Sequence, residues 1–269
     1  MLELLFEMFS YDFLLRAALV GSLVALCAAL LGVSLVLKRY SMIGDGLSHV
    51  GFGALSVALA MNLAPLYVAV PVVVLAAFFL LRLSESARVR GDAAIAMISC
   101  SCLAIGVIAA SLGGGSNVDV YGYLFGSVLA MRQEDVYISV VLSLLVLVLF
   151  IFFYNRLFAV TFDETFARAT GINTGVYNML LALLTALTIA VGMRLMGTML
   201  ISGLIVFPAL SAMRLCRSFR GVIIAAALIS VVCFLCGIVL SYLLSLPAGA
   251  SVIVVELGVF LLCRLFGRR

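Results

Sequence analysis

The feature that most constrains this chain is a series of long apolar runs separated by short polar segments. An α-helix needs about 20 apolar residues to cross the hydrocarbon core of a bilayer, and most of the runs have about that length. Nine can be drawn, at 14–37, 46–62, 65–81, 93–112, 136–154, 176–192, 195–213, 221–243 and 250–263. The last run is short, so the sequence is compatible with either eight or nine spans.

Composition excludes a water-soluble protein. Only 10% of the residues are charged and 66% are apolar, whereas a soluble domain carries about 25% charged residues. No polar segment is long enough to form a separate soluble domain, so we expect one transmembrane domain over residues 1–269. The fold class predicted is all-α, a polytopic transmembrane helical bundle. The net charge of +4 does not indicate nucleic-acid binding, because the basic residues flank the apolar runs.

The distribution of basic residues predicts the orientation of the bundle. Lys38 and Arg39 follow the first run, and alternation from there places 13 of the 16 basic residues on one side. The residues left on the other side are Arg16, Arg132 and Arg194. Since loops rich in Lys and Arg face the cytoplasm, we expect an external N-terminus and a cytoplasmic C-terminus.

One apolar segment, 118–131, is too short to span. It follows three consecutive glycines at 113–115 and precedes the polar residues 132–135. Its length fits a re-entrant or interfacial helix on the external face. Such a helix could form the wall of a pathway, or it could rest at the membrane interface as part of a loop.

Ionisable residues inside a membrane span are costly and indicate function, and the strongest case is the pair Asp45 and His49. They are four residues apart, which places them on one face of a helix. A carboxylate and an imidazole form half of a site for a divalent ion such as Zn, Mn or Fe. A second copy of the chain would complete the four donors of a tetrahedral site. Alternatively, Asp45 caps a helix, and His49 is a packing residue or a proton relay.

A polar segment at 162–172 is predicted to form a short amphipathic helix on the cytoplasmic side. Asp163 and Glu164 stand near its start and Gly171 at its end, which suits the helix dipole and the C-cap. The residues expected on one face, ready to dock into a partner's groove, are Phe162, Phe166 and Ala169. A simple interfacial linker helix is the alternative.

Two other polar features leave their roles open. Glu256, in the final run, could face the bundle interior, pair with an arginine or line a pathway. Cys233 and Cys236 have the spacing of a metal or redox motif, but within an apolar run cysteine behaves as a small apolar residue. The only lysine is Lys38, so the sequence contains no phosphate-binding loop of the G-x-x-x-x-G-K-[ST] type. We therefore expect a transport subunit and not an enzyme, with any ATP hydrolysed by a separate subunit.

Four segments, in order, resemble motifs of one family. Residues 44–49 match G-D-x-x-S-H, 123–127 contain L-F-G-S, 163–171 match D-x-x-x-A-x-x-x-G, and 197–209 match G-x-x-L-[IV]-x-x-L-x-x-x-P-A. The chain resembles, over essentially its whole length, the metal-transporting ATP-binding cassette permeases. These are the membrane subunits of bacterial zinc, manganese and iron uptake systems.

The resemblance implies a bacterial inner-membrane protein that works as a homodimer, with cytosolic ATPase subunits and an extracytoplasmic metal-binding protein. It implies that Asp45 and His49 are metal ligands on the permeation path. It also implies that 163–171 is a coupling helix seated on the ATPase, with contact residues Asp163, Phe166, Ala167 and Gly171. The transported ion would be Zn²⁺, with Mn²⁺ or Fe²⁺ as alternatives, and no cofactor would be bound permanently.

Two other classes of function are compatible with a membrane bundle. A gradient-driven secondary transporter or channel could use His49 and Glu256 as proton carriers. An intramembrane enzyme is disfavoured because no nucleophile and base are visible together.

Overall fold

The structure, a computed structural model of the chain, describes residues 12–84, 91–112 and 133–267. Within these ranges the chain is helical and contains no strand. The helices, in chain order, are α1 (Asp12–Leu37), α2 (Ser41–Ala60), α3 (Pro65–Ser84), α4 (Gly91–Leu112), α5 (Gln133–Phe152), α6 (Tyr154–Phe162), α7 (Glu164–Ala169), α8 (Thr174–Met196), α9 (Thr198–Leu215), α10 (Phe219–Leu244) and α11 (Ala248–Phe266). The all-α class predicted from the apolar runs is confirmed.

Each of the nine apolar runs coincides with one of these helices. Eight helices of the described ranges are long and apolar enough to cross a membrane, namely α1 to α5, α8, α10 and α11. The ninth is α9, whose apolar part, Leu200–Leu215, is shorter. The ambiguity between eight and nine spans therefore comes from α9 and not from the last run. The predicted re-entrant segment 118–131, with its motif at 123–127, lies outside the described residues.

The chain reverses direction sharply at Gly197, between α8 and α9. The φ of this residue is +85°, in the region that favours glycine. A Cβ on Gly192 would lie 2.5 Å from the δ-carbon of Ile201, whereas continuous helix would separate these residues by about 13 Å. Helix α9 therefore folds back along α8. Met196, just before the turn, packs against Gly21, about 14 Å along α1 from its first residue, so the turn lies inside the bundle.

Although it is short, α9 is the central helix. It packs against α1, α2, α8, α10 and α11, and the buried apolar side chains of these helices join one continuous core. The approach of α1 is very close, because a Cβ on Gly32 would lie 2.0 Å from the carbonyl oxygen of Ile205. Membrane helices associate through such close packing at small residues, since lipid provides no hydrophobic drive between them.

One end of the bundle gathers basic residues from several helices. Lys38, at the end of α1, contacts Glu164 of α7. Arg82, at the end of α3, lines a cavity with residues from the start of α8, and Arg214 lies beside the end of α11. This is the end predicted to face the cytoplasm. Five further basic residues used for that prediction lie outside the described ranges: Arg88, Arg90, Arg132, Arg268 and Arg269.

The prediction of one helix over 162–172 is wrong at its start. Asp163 is extended, with φ −147° and ψ 97°, so Phe162 ends α6 and only Glu164–Ala169 form α7. Phe162 packs instead against Phe158 and Phe219, with ring centroids 5.0 and 5.7 Å away. The predicted common face of Phe162, Phe166 and Ala169 does not form, because Phe162 belongs to the preceding helix.

Candidate metal site and coupling helix

Helix α2 is held on two sides by helices that approach its glycines. On one side, Gly44 and Gly51 meet side chains of α9 and α8, and on the other, Gly46 and Gly53 meet α4. The second approach is close, since a Cβ on Gly53 would lie 2.7 Å from the carbonyl oxygen of Cys102. These contacts fix the rotation of α2, and with it the direction of the face that lies between the two glycine sides.

Asp45 and His49 occupy that remaining face, because at about 100° per residue both fall between the two glycine sides. The distance from Asp45 Oδ2 to His49 Nε2 is 3.7 Å, and the two side chains are 45% and 20% exposed. Helix α2 begins at Ser41, with Tyr40 at the N-cap, so Asp45 stands in the second turn. The capping alternative for Asp45 is therefore excluded.

The two ring nitrogens of His49 lie in different surroundings. Its Nε2 is too far from Asp45 for a hydrogen bond, and its Nδ1 is buried with no hydrogen-bond partner in the described structure. Ser48, between the two residues, donates to the carbonyl oxygen of Asp45 at 2.7 Å and leaves the carboxylate open. No cluster of three or more His, Cys, Asp or Glu suited to a metal exists within the described ranges. One chain thus brings together two donor residues, as the spacing predicts.

Helix α7, in the predicted coupling segment, is defined at both ends by local hydrogen bonds. The Asp163 carboxylate accepts from the Phe166 backbone N–H at 2.9 Å, which is an N-cap. At the other end Gly171 has a φ of +84°, and the Ile172 N–H donates to the Ala167 carbonyl, as in a Schellman motif. Ala167 is buried, whereas Phe166 is 65% exposed. The predicted positions of Asp163 at the start and Gly171 at the end are confirmed.

A polar network joins α7 to two membrane-spanning helices. Lys38 Nζ lies 3.5 Å from Glu164 Oε2, although the Lys38 side chain is only 6% exposed. Lys38 also donates to Asn178 Oδ1 in α8. Asn178 Nδ2 and an Arg168 guanidinium N–H each donate to Glu164 Oε1 at 3.3 Å. The carboxylate of Glu164 is the centre of this network.

The network also changes the acidity of Glu164, which lies outside the membrane-spanning helices. Partial burial alone would raise its pKa. The positive charge of Lys38, together with hydrogen bonds from Asn178, Thr174 and Lys38, outweighs this effect, so that the pKa of Glu164 lies below its usual value. The carboxyl is therefore ionised whenever the network is intact at neutral pH.

The family model described as the ABC 3 transport family matches residues 10–267. The chain belongs to this family. The solved structure of PsaBC from Streptococcus pneumoniae in complex with Fab has the same fold, with a TM-score of 0.88 and 26% identity, covering 98% of this chain and 95% of that chain.

Proteins that are similar to this chain carry names for three metals. The high-affinity zinc uptake system membrane protein ZnuB of Haemophilus influenzae is 30% identical, with 94% of this chain and 97% of the relative covered. The probable iron transport system membrane protein of that organism is 30% identical, covering 99% and 94%. The manganese transport system membrane protein MntC of Halalkalibacterium halodurans is 28% identical, covering 97% and 89%.

These findings confirm the resemblance given by the motifs. The chain is a multi-pass permease of the metal-importing ATP-binding cassette type in the bacterial inner membrane. Similarity does not select among the metals, because relatives at nearly equal identity are named for different ions.

Glu256 lies apart from Asp45 and His49. It is only 1% exposed, and neither carboxylate oxygen has a hydrogen-bond partner in the described structure. Its Oε2 would be 3.7 Å from a Cβ on Gly203 of α9. The sequence alternative that Glu256 faces the bundle interior is therefore the correct one. Cys233 is buried and Cys236 exposed, and neither forms a disulfide.

The structure brings to Glu164 two residues that sequence reasoning did not connect with the 163–171 segment, Lys38 and Asn178. In the sequence, Lys38 is a topology signal and the single lysine, and Asn178 belongs to no motif. The signal for Asn178 was present, since it is an amide within the otherwise apolar run 176–192 and needs a partner when buried. Its partners could not be foreseen, because they lie 14 and 140 residues away in the chain.

Proposed function

We propose that this permease imports a divalent transition-metal ion. Zn²⁺ is the favoured ion, and Mn²⁺ or Fe²⁺ are the alternatives. The ion arrives from an extracytoplasmic binding protein and passes between two copies of the chain. ATP is hydrolysed by separate cytosolic subunits, and no cofactor is bound permanently. The observation that carries the proposal is the position of Asp45 and His49, which remain partly exposed on a membrane-spanning helix.

An ionisable pair that faces lipid is unfavourable, since an Asp at the centre of a membrane helix costs about 2.5–3.5 kcal/mol on insertion scales. Such residues therefore face a protein interior or an aqueous pathway. A second copy packed on the same face would enclose the pair and supply another Asp45 and His49. A two-fold contact of this kind is self-complementary, and its four donors match the number that a tetrahedral ion takes.

The ion would exchange part of its hydration shell for these donors and leave them again. Because the Nε2 of His49 lies 3.7 Å from Asp45 Oδ2, beyond hydrogen-bond distance, binding of an ion there would break no hydrogen bond between these two residues. A site that binds the ion only transiently needs donor atoms that are not hydrogen-bonded to other groups of the protein. Movement of α7 on the ATPase subunit, through exposed residues such as Phe166, would open and close this site.

Zinc is placed first because a carboxylate and imidazole set suits it and a relative named for zinc is 30% identical. The same donors accept manganese and iron, and relatives named for those metals are almost as similar. Selectivity in such sites depends on geometry and availability more than on the order of affinities.

The alternative is a gradient-driven transporter in which His49 and Glu256 carry protons. The buried Glu256 carboxyl favours it, but the two groups lie on different sides of α9. Gly203 faces Glu256, whereas Ile205 faces Gly44 of α2. Residues two apart on a helix are separated by about 200° of rotation about its axis, so they lie on nearly opposite sides. Membership of an ATP-binding cassette family also favours the importer.

Uptake into proteoliposomes tests the proposal. The chain is reconstituted with its ATPase subunits and loaded binding protein, and accumulation of labelled Zn²⁺, Mn²⁺ and Fe²⁺ is measured with and without ATP. We expect accumulation that requires ATP and that is largest for Zn²⁺. Accumulation that proceeds without the ATPase subunits, or no accumulation of any of the three ions, would contradict an ATP-driven metal importer. A preference for Mn²⁺ or Fe²⁺ would change the identity of the transported ion and leave the ATP-driven import mechanism in place.

A further inference from the structure

The buried end of α1 connects two parts of the molecule that the proposed function assigns to different tasks. Lys38 is the only lysine of the chain, and at 6% exposure its side chain is almost fully enclosed. Lysine is rarely buried unless its charge is paired. Here the pairing groups come from two other helices, Glu164 of α7 and Asn178 of α8.

The partners of Lys38 also bind each other, which makes the connection stiff. Asn178 donates to Glu164, and Arg168 bridges Glu164 and Thr174, with each contact at 3.3 Å. Side-chain networks of this kind stabilise a single arrangement when every member is satisfied. Helix α7 is therefore tied to the start of α8 and to the end of α1.

From Lys38 the connection continues along the backbone into α2. Only residues 38–40 separate α1 from α2, and they form a hydrogen-bonded corner. The Tyr40 N–H donates to the Leu35 carbonyl at 2.8 Å, and the Ile43 N–H donates to the Tyr40 carbonyl at 3.0 Å. Arg39, at the middle of the corner, has a φ of +62°. A displacement of Lys38 must therefore displace the first turn of α2, directly before Asp45.

We propose that Lys38 is a positioning residue that transmits movement of α7 to the Asp45–His49 face of α2, an inference that rests on the proposed function. If α7 moved without α1, the buried Lys38 ammonium would lose its carboxylate partner, and breaking a buried ion pair from one side is unfavourable. The ion pair makes the two elements move together. The route runs from Glu164 through Lys38 and the corner to Asp45, without passing through the core.

The test uses the complete complex of permease, ATPase subunits and binding protein in proteoliposomes, and measures metal ions accumulated per ATP hydrolysed. In the Lys38→Met variant we expect this ratio to fall about 10-fold, within the range of typical coupling energies, while the ATPase subunits still copurify. Arg217→Met is the control, because it removes the same charge from an exposed position in the connection between α9 and α10, outside both the network and the corner. Its ratio should stay close to that of the unaltered protein.

Pairwise variants separate transmission from a general loss of structure. Glu164→Gln should lower the ratio as Lys38→Met does, and the double variant should be no worse than either single one, because both remove the same link. Lys38→Arg, which keeps a cation, should recover most of the ratio. If Lys38→Met does not assemble, Glu164→Gln and Lys38→Arg carry the test, since Glu164 is 36% exposed at the rim.

An unchanged ratio in Lys38→Met or Glu164→Gln, or losses that multiply in the double variant, would overturn the role of Lys38. That outcome is distinct from failure of the proposed function, in which the unaltered complex itself would accumulate no metal with ATP. A Lys38→Met protein that loses ATP hydrolysis and uptake in the same proportion would also overturn the inference, because its ratio would not change.

Discussion

The segment around the α1–α2 corner contains two polar regions of opposite character. Lys38, before α2, is enclosed, and its charge is satisfied by groups of the same chain. Asp45 and His49, in the first half of α2, are partly exposed, and within the described residues the His49 Nδ1 has no hydrogen-bond partner and its Nε2 is 3.7 Å from Asp45 Oδ2. Among the residues that the structure describes, the first region has all its partners, and the second does not. Polar groups left open in a membrane helix face a protein interior or an aqueous pathway and indicate a functional site.

The largest expected effect follows from removing the open region. The double variant Asp45→Ala and His49→Ala should lower ATP-dependent uptake at least about 100-fold, since loss of outer partners of a metal site alone costs up to that much. The variant should still assemble with the ATPase subunits, because the pair lies on α2, outside the α7 network. Ser48→Ala is the control, as its hydroxyl bonds only to the backbone of its own helix. Uptake that survives the double variant would remove the metal role.

A smaller effect, on stability, is expected where α9 packs against α1. Gly32→Ala should destabilise the protein by about 1–3 kcal/mol, the usual cost of overpacking, because the new methyl would meet the backbone of Ile205. Gly258→Ala, where no atom lies within 4 Å, should be neutral or stabilising by up to about 1 kcal/mol. Thermal unfolding in detergent measures both. Equal stability of the two variants would show that α1 and α9 are not packed this closely.

The smallest effect concerns acidification of the enclosed region. The pKa of Glu164 is lower in the folded protein than its ordinary value of 4.5, so its contribution to stability is complete above that pH and decreases as the pH falls below it. The difference in unfolding temperature between the unaltered protein and Glu164→Gln should therefore be largest near pH 7 and shrink below about pH 4.5. A difference that grows on acidification would contradict the ion pair.

Much of the fold could be predicted because lipid leaves few choices. A span must be helical to satisfy its backbone, so apolar runs alone locate the nine helices and nearly all their ends. The donor pair was equally accessible, since helical spacing places Asp45 and His49 together whatever surrounds them. These predictions rest on local sequence, within a turn or two of each residue.

What the sequence missed depends on distant contacts or on backbone geometry. The partners of Lys38 come from two other helices, and no local pattern relates them. The break at Asp163 was missed because an acid near a helix start can either enter the first turn or cap it from outside. The reversal at Gly197 was hidden because glycines are common within membrane helices, and only the conformation distinguishes this one.

The corner at Arg39 has a cost of its own. A residue other than glycine whose backbone adopts the left-handed conformation is less favourable than glycine there by about 1–2 kcal/mol. Arg39 has this conformation at the point where α1 meets α2. Glycine would remove the penalty but would admit many more conformations, turning a fixed angle into a hinge. A slightly strained arginine therefore restricts the corner to few backbone conformations. For a connection that transmits small displacements, this restriction is worth more than an unstrained backbone.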